Sequence, residues 1–239
     1  MSCRFKGKSV LVAGGTGGLG RAVSLSFLNE SAKVIVTYRD EDEFSGLKNE
    51  AGRQSSSLEG HSVDVTDEAA VDRLVKEIFS RNQRLDVLVN TVGAYSGGTP
   101  LWQTESKVLD QMLALNLRSG FVLSRAVVPV MLKQGSGAIV SVASRAAFDH
   151  AAGAAAYAAS KEASVAMFDS LAADLKGTGV RVNSVLPSII DTSPNRRAMP
   201  NADFSKWPKP EDIASVILFL SSDEAKLIHG ASVPVYGAS

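Results

Sequence analysis

The stretch "SVLVAGGTGGLG", Ser9 to Gly20, joins an uninterrupted apolar run to five glycines in seven residues. A short apolar run closed by glycine reads as a buried strand, here Lys8 to Gly14. The next residues, Gly18 to Glu30, carry apolar side chains at helical spacing. The glycines therefore occupy a strand-to-helix turn. Glycine lets the backbone turn tightly and approach a guest closely. A helix N-terminus carries a partial positive charge and unpaired N–H donors, which suits a pyrophosphate. The turn is expected to hold a nucleotide.

Strand-like and helix-like segments alternate from there to the end. Strands are expected at Lys33–Tyr38, at "HSVDV" (61–65), at "LDVLVNTVG" (85–93), at "GAIVSVAS" (137–144), at "VRVNSVLP" (180–187) and at "ASVPVY" (231–236). Helices are expected from a Thr66 cap through Arg81, with Asp67 and Glu68 in the first turn, and over Glu105–Lys133, Ala154–Lys176 and Pro210–Ser221. The polar stretch between Arg39 and Glu59 gives no clear pattern. The strands are near-continuous Val/Ile/Leu runs, which suits a parallel sheet covered on both faces. Alternation with helices argues for a doubly wound α/β sheet of about seven strands in one domain, 1–239.

Composition narrows the function. The 239 residues hold 25 Lys+Arg and 25 Asp+Glu, with no basic tail or block to suggest nucleic acid. No continuous apolar run approaches the roughly 20 residues of a membrane span. A single cysteine, Cys3, rules out an internal disulfide and points to a cytoplasmic protein. His61, His150 and His229 are scattered, so no metal site is expected.

Gly14, Gly18 and Gly20 give G-x-x-x-G-x-G, and further segments follow in order: Asp64 in "DVTD", "NTVG" at 90–93, Asn116, Ser144, Tyr157-Ala-Ala-Ser-Lys161 and "LPSIIDT" at 186–192. This set resembles the short-chain dehydrogenase/reductase family over essentially the whole chain. The resemblance implies a Rossmann-type fold, a nicotinamide dinucleotide and a homo-oligomer, with a tetramer expected. It places Gly14, Thr16, Gly17, Gly18, Leu19, Gly20, Asp64, Val65, Asn90, Gly93, Pro187, Ile190 and Thr192 at the cofactor. Four departures stand out: Ala13 replaces the commoner threonine, Thr91 and Val92 alter the usual "NNAG", and Ser188 replaces a glycine.

Tyr157 and Lys161 are four apart on a helix, hence on one face. A free tyrosine titrates near 10, and a neighbouring ammonium is expected to bring it down toward neutral pH. By resemblance, Tyr157 donates a proton to a carbonyl oxygen, Ser144 holds that oxygen, Lys161 also binds the nicotinamide ribose and Asn116 anchors a water in a proton relay. The residue ending the second strand sets the preference between NADP and NAD. Here it is Tyr38 followed by Arg39, without the acid that would bind a ribose 2′-hydroxyl. Arginine suits a phosphate, so NADP(H) is favoured over NAD(H), although Asp40, Glu41 and Asp42 follow closely.

The expected substrate is a small carbonyl compound, a ketone or 3-oxoacyl group. Loops 95–99, 145–153 and 188–207 are expected to form its wall, with Phe148, His150, Ile189 and Trp207 as candidate contacts. The last loop is short enough to suggest an open site without a large lid. Its segment Asp191–Trp207 also resembles dihydropteridine reductases, so reduction of a quinonoid pterin is the alternative. Those enzymes lack the serine and carry an acid where Tyr38-Arg39 stands. A dinucleotide-sensing protein on the same fold is the non-catalytic alternative, and it would not need Tyr157 and Lys161.

Overall fold

The computed structural model describes residues 3–238. Seven strands form one sheet: β1 Ser9–Ala13, β2 Lys33–Tyr38, β3 Leu58–Ser62, β4 Val87–Asn90, β5 Gly137–Val142, β6 Val180–Pro187 and β7 Ala231–Val235. Their spatial order is β3-β2-β1-β4-β5-β6-β7, and every neighbouring pair is parallel. The chain winds outward from β1 to β3, then returns to begin the other half at β4. The crevice above β1 and β4 is therefore the switch point where such sheets bind ligands.

Alternation along β1 sorts the core. Val10 and Val12 point to one face and pack with Val34 and Val36 under α1 (Gly18–Asn29) and α8 (Pro210–Ser221). Leu11 and Ala13 point to the other face, under α3 (Glu68–Asn82), α5 (Ser119–Gln134) and α6 (Ala155–Asp174). Leu11, Ile35, Phe27 and Phe168 are essentially sealed from solvent. Each such side chain contributes about 1.5–3 kcal/mol through burial.

Three local expectations are corrected. The unreadable stretch after β2 folds as α2 (Glu41–Ala51), opened by Asp40, whose carboxylate accepts from the Asp42 and Glu43 amides. The third strand is Leu58–Ser62, not 61–65. It is an edge strand with little apolar content, and its register comes from β2, with Val34 opposite Leu58 and Tyr38 opposite Ser62. Its Gly60 makes room for the Phe44 ring, since a Cβ there would lie 2.3 Å from Phe44 Cζ. The cap of α3 is Asp67, which accepts from the Ala70 amide at 3.0 Å, not Thr66. Thr66 bonds back to Asp64 instead.

The expected long helix is continuous from Ser106 to Gln134 but not uniform. It runs as α4 (Ser106–Leu113), a π-helical turn (Ala114–Arg118) and α5. By length and composition this segment is apolar enough to cross a membrane, although no uninterrupted apolar run marks it in the sequence. Val122, Leu123, Val127 and Met131 turn inward to the sheet, which accounts for much of that apolarity. The loop after β6 is also more structured than expected, with α7 at Ser193–Ala198.

Candidate functional site

The glycine turn is shaped by contacts that exclude side chains. Gly14 has φ +72°, a conformation that favours glycine. A Cβ on Gly20 would lie 2.1 Å from the Gly14 carbonyl oxygen, and one on Gly18 would lie 2.8 Å from Thr192 Cγ2. Gly18 thus lets the loop after β6 close against the start of α1. Thr192 caps α7, its Oγ1 accepting from the Asn195 amide at 3.4 Å. By contrast α1 opens on Gly17 with no side-chain cap and no acid in its first turn. Its first N–H groups remain available to an anion.

A cleft of about 600 Å³ lies over this turn. Of the expected cofactor residues, Gly14, Thr16, Gly17, Tyr38, Arg39, Asp64, Val65 and Gly93 line it. Leu19 turns its side chain into the core, so only its backbone can serve the turn. Asn90 does not reach the cleft wall. It is buried, and its Oδ1 accepts from the Val92 amide at 3.2 Å, so it braces the turn from below. Pro187 ends β6, and Ile190 and Thr192 stand on the loop that follows it, none of them in this cleft.

Sequence reasoning missed Thr37, Thr91 and Glu43. Thr37 Oγ1 accepts from the Gly14 amide at 3.0 Å, and Thr91 Oγ1 donates to the Ala13 carbonyl at 2.7 Å. These bonds pin the glycine turn to β2 and β4. The signal was a hydroxyl at the end of each apolar strand. Glu43 comes from α2 and accepts from Thr16 Oγ1 at 2.8 Å, a pairing that only the fold creates.

The acids around Arg39 are largely engaged elsewhere. Asp40 caps α2, Glu41 accepts from Tyr38 Oη at 2.6 Å and Glu43 holds Thr16. Among the described residues Arg39 is in no ion pair and faces solvent at the cleft. Hydrogen bonds from the Thr66 amide and hydroxyl hold the Asp64 carboxyl below its ordinary range, and the nearby Arg39 adds to this.

Beyond Gly93 lies a second cluster. A Cβ on Gly93 would lie 2.8 Å from Asn116 Oδ1 and 3.1 Å from Lys161 Nζ, so this glycine admits both. Asn116 sits in the π-helical turn, a common device for re-aiming a side chain. Its Oδ1 accepts from the Ala94 amide at 2.9 Å, and its Nδ2 donates to the Ala94 carbonyl at 3.0 Å and to Ser160 Oγ at 2.9 Å. Ser160, not singled out in the sequence, passes the chain on by donating to the Tyr157 carbonyl at 2.7 Å. Lys161 is buried, its Nζ donating to the Val142 carbonyl at 3.0 Å.

Ser144 hydrogen-bonds Tyr157, so the end of β5 and the start of α6 bring these two hydroxyls together. The electrostatics differ from expectation. Burial raises the Tyr157 pKa, the Ser144 bond opposes this and Tyr95 adds to it. Lys161 does not bring the phenol down, because its ammonium is directed to Val142. Lys161 itself is lowered to about 8 by burial. The scattered histidines are also less isolated than expected. His61 lies with Glu59 and Glu77, but the Arg81 guanidinium already bridges those carboxylates at 2.8 and 2.6 Å. Trp207 is buried with its ring tilted against Phe204, centroids 4.9 Å apart, while Phe148 is exposed.

The sequence model of the short chain dehydrogenase family matches residues 8–203. The chain belongs to that family. It is therefore an oxidoreductase of the short-chain dehydrogenase type. It is 31% identical to a 3-oxoacyl-[acyl-carrier-protein] reductase, FabG, of Thermotoga maritima, covering 98% of each chain. It is 35% identical to a short-chain dehydrogenase/reductase structure from Burkholderia xenovorans, with a TM-score of 0.88 over 99% of this chain and 97% of that one. An NADP-bound structure of ElxO superposes with a TM-score of 0.91 at 25% identity, covering 96% and 97%. None of these three is named for a pterin, the alternative suggested by Asp191–Trp207.

Proposed function

We propose that this short-chain dehydrogenase reduces a carbonyl, a ketone or 3-oxoacyl group, to an alcohol with NADPH. The carrying observation is the convergence of Ser144, Tyr157, buried Lys161 and Asn116 beside the glycine-turn cleft. A nicotinamide dinucleotide supplies hydride chemistry when bound. The uncapped start of α1 suits its pyrophosphate, and Arg39 suits a 2′-phosphate through charge-assisted bonds. Asp64 and Val65 stand where an adenine would lie. Pro187 at the end of β6, and Ile190 and Thr192 on the loop after it, would cover the nicotinamide.

Ser144 orients the substrate oxygen, and Tyr157 delivers the proton to it. With its pKa raised by burial, the phenol carries its proton at neutral pH and can act as the donor. Lys161 binds the cofactor ribose, and Asn116 with Ser160 connects the site to a water relay. The NADP-bound relative and the FabG relative support this reading. Replacement Tyr157→Phe removes the proton. Turnover of a 3-oxo ester is expected to fall by about 10²–10⁴-fold while NADPH binding, followed by nicotinamide fluorescence, is kept. Residual activity above a tenth of wild type would reassign the acid.

The outer face of α4, α5 and α6 supports a homo-oligomer, with a tetramer as the expected form. Phe121 and Leu109 are exposed there, and a hollow of about 650 Å³ is lined by Leu113, Leu117, Phe121 and Met167. Light scattering should give a multiple of the 25.1 kDa chain mass. A monomer at micromolar concentration would remove this part of the reading.

A further inference from the structure

Tyr95 lies two residues past Gly93, on the loop between β4 and α4. Its ring meets the Tyr157 ring edge to face, with centroids 4.9 Å apart and planes at 76°. Yet Tyr95 is 68% exposed, so much of its surface is free beside the proton donor. Large aromatic side chains normally bury most of their area, and an exposed one at a reacting centre offers that area to a guest.

The ring is held there by design of the loop. A Cβ on Gly97 would lie 2.2 Å from Tyr95 Oη and 2.7 Å from Cζ, so the phenol rests directly on that glycine. The same loop is tied to the other wall of the site, where the Gly98 amide donates to the Gly153 carbonyl at 2.9 Å. Gly153 just precedes the helix that carries Tyr157. The loop that carries Tyr95 is therefore bonded to the segment that leads into the Tyr157 helix. Charges close to the mouth are quenched internally. Arg145 pairs with Asp149 at 2.9 Å and lies over the Tyr236 ring at 5.2 Å, while Arg196 pairs with Asp191 at 2.5 Å.

We propose that Tyr95 is a specificity-determining residue that favours carbonyls carried on a flat unsaturated ring, by giving that ring an aromatic surface beside Tyr157. A substrate whose oxygen reaches Ser144 and Tyr157 projects its substituent alongside Tyr95. A planar ring gains an offset or edge-to-face contact there, and a short alkyl group does not. The inference rests on the carbonyl-reductase reading and adds a substrate class to it.

The test measures kcat/KM with NADPH for ethyl benzoylacetate and ethyl acetoacetate, which share the 3-oxo ester and differ in phenyl against methyl. The readout is the ratio of the two values, which cancels changes common to both. Tyr95→Ala should lower the benzoylacetate-to-acetoacetate ratio about five- to tenfold. Tyr95→Phe should keep the ratio within twofold of wild type, since the ring remains. Gly97→Ala, which pushes the ring aside without removing it, should lower the ratio part-way. A ratio unchanged in Tyr95→Ala, or lowered equally in Tyr95→Phe, overturns the assignment while leaving carbonyl reduction intact. If wild type reduces neither ester, the carbonyl-reductase reading fails and this inference falls with it.

Discussion

The two edges of the sheet treat buried polar groups in opposite ways. At the edge where the strands begin, Asp86 is enclosed and fully answered. It accepts from the Ser9 amide at 2.9 Å and from Arg84 Nε at 2.6 Å, and Lys8 stands 3.5 Å away. At the edge where the strands end, Lys161 is equally enclosed, but no carboxylate pairs with it among the described residues and its ammonium donates a hydrogen bond to the Val142 carbonyl. The start of α1 repeats the pattern, with no side chain to cap it. A closed polar network stabilises the fold, whereas an open one stores interactions for a guest.

The contrast can be broken most severely by closing the open edge. Gly17 is extended (φ −68°, ψ 171°), and the nearest atom to a Cβ there is 3.6 Å away, so Gly17→Asp is sterically tolerated. The new carboxylate would cap α1 and repel a pyrophosphate. NADPH binding should weaken by about a thousandfold, roughly 4 kcal/mol, with thermal stability little changed. A titration showing less than a tenfold loss would mean that the α1 terminus is not the anion site.

Removing the unanswered charge sharpens the same comparison. Lys161 titrates at about 8 in the folded chain against 10.5 ordinarily. Between those values the unfolded chain holds a proton that the fold has released, so stability rises with pH across the window. Below about 8 both states are protonated and the burial cost is present in full, up to about 3 kcal/mol. Lys161→Met should therefore be more stable than wild type in urea at pH 7, and the gap should narrow from pH 8 to 10.5. A gap independent of pH would show that the lysine is not strained by burial. The comparison with the variant also cancels Tyr157, whose raised pKa acts in the opposite sense above pH 10.

The smallest effect concerns the rim. Arg39→Asp should shift the NADPH-to-NADH affinity ratio by about 30-fold toward NADH, roughly 2 kcal/mol, as one charge-assisted phosphate contact is lost. An unchanged ratio would leave the preference to Thr16 and the backbone.

Much of the site was legible because its residues obey local rules. Gly14, Gly18 and Gly20 mark a turn, Tyr157 and Lys161 share a helix face, and Tyr38-Arg39 ends an apolar strand. Asn90 and Leu19 were placed at the cofactor by motif alone. In three dimensions Asn90 braces a turn and Leu19 joins the core, because burial takes precedence over proximity in the chain. The α2 helix escaped notice because its face is mostly exposed, with Leu47 and Ala51 as its only buried side chains.

By itself the sequence determined the alternation of strand and helix, hence the parallel sheet and the location of its binding edge. Periodicity and glycine placement are local properties, and they survive without the fold. The tertiary structure alone decided the contacts between distant segments: Thr16 with Glu43, Asn116 with Ser160, and Tyr95 against Tyr157. It also reversed the expected electrostatics, since the pKa of Tyr157 depends on how deeply the phenol is buried and where the Lys161 ammonium points. Desolvation is a property of the assembled environment, and no spacing of residues along the chain encodes it.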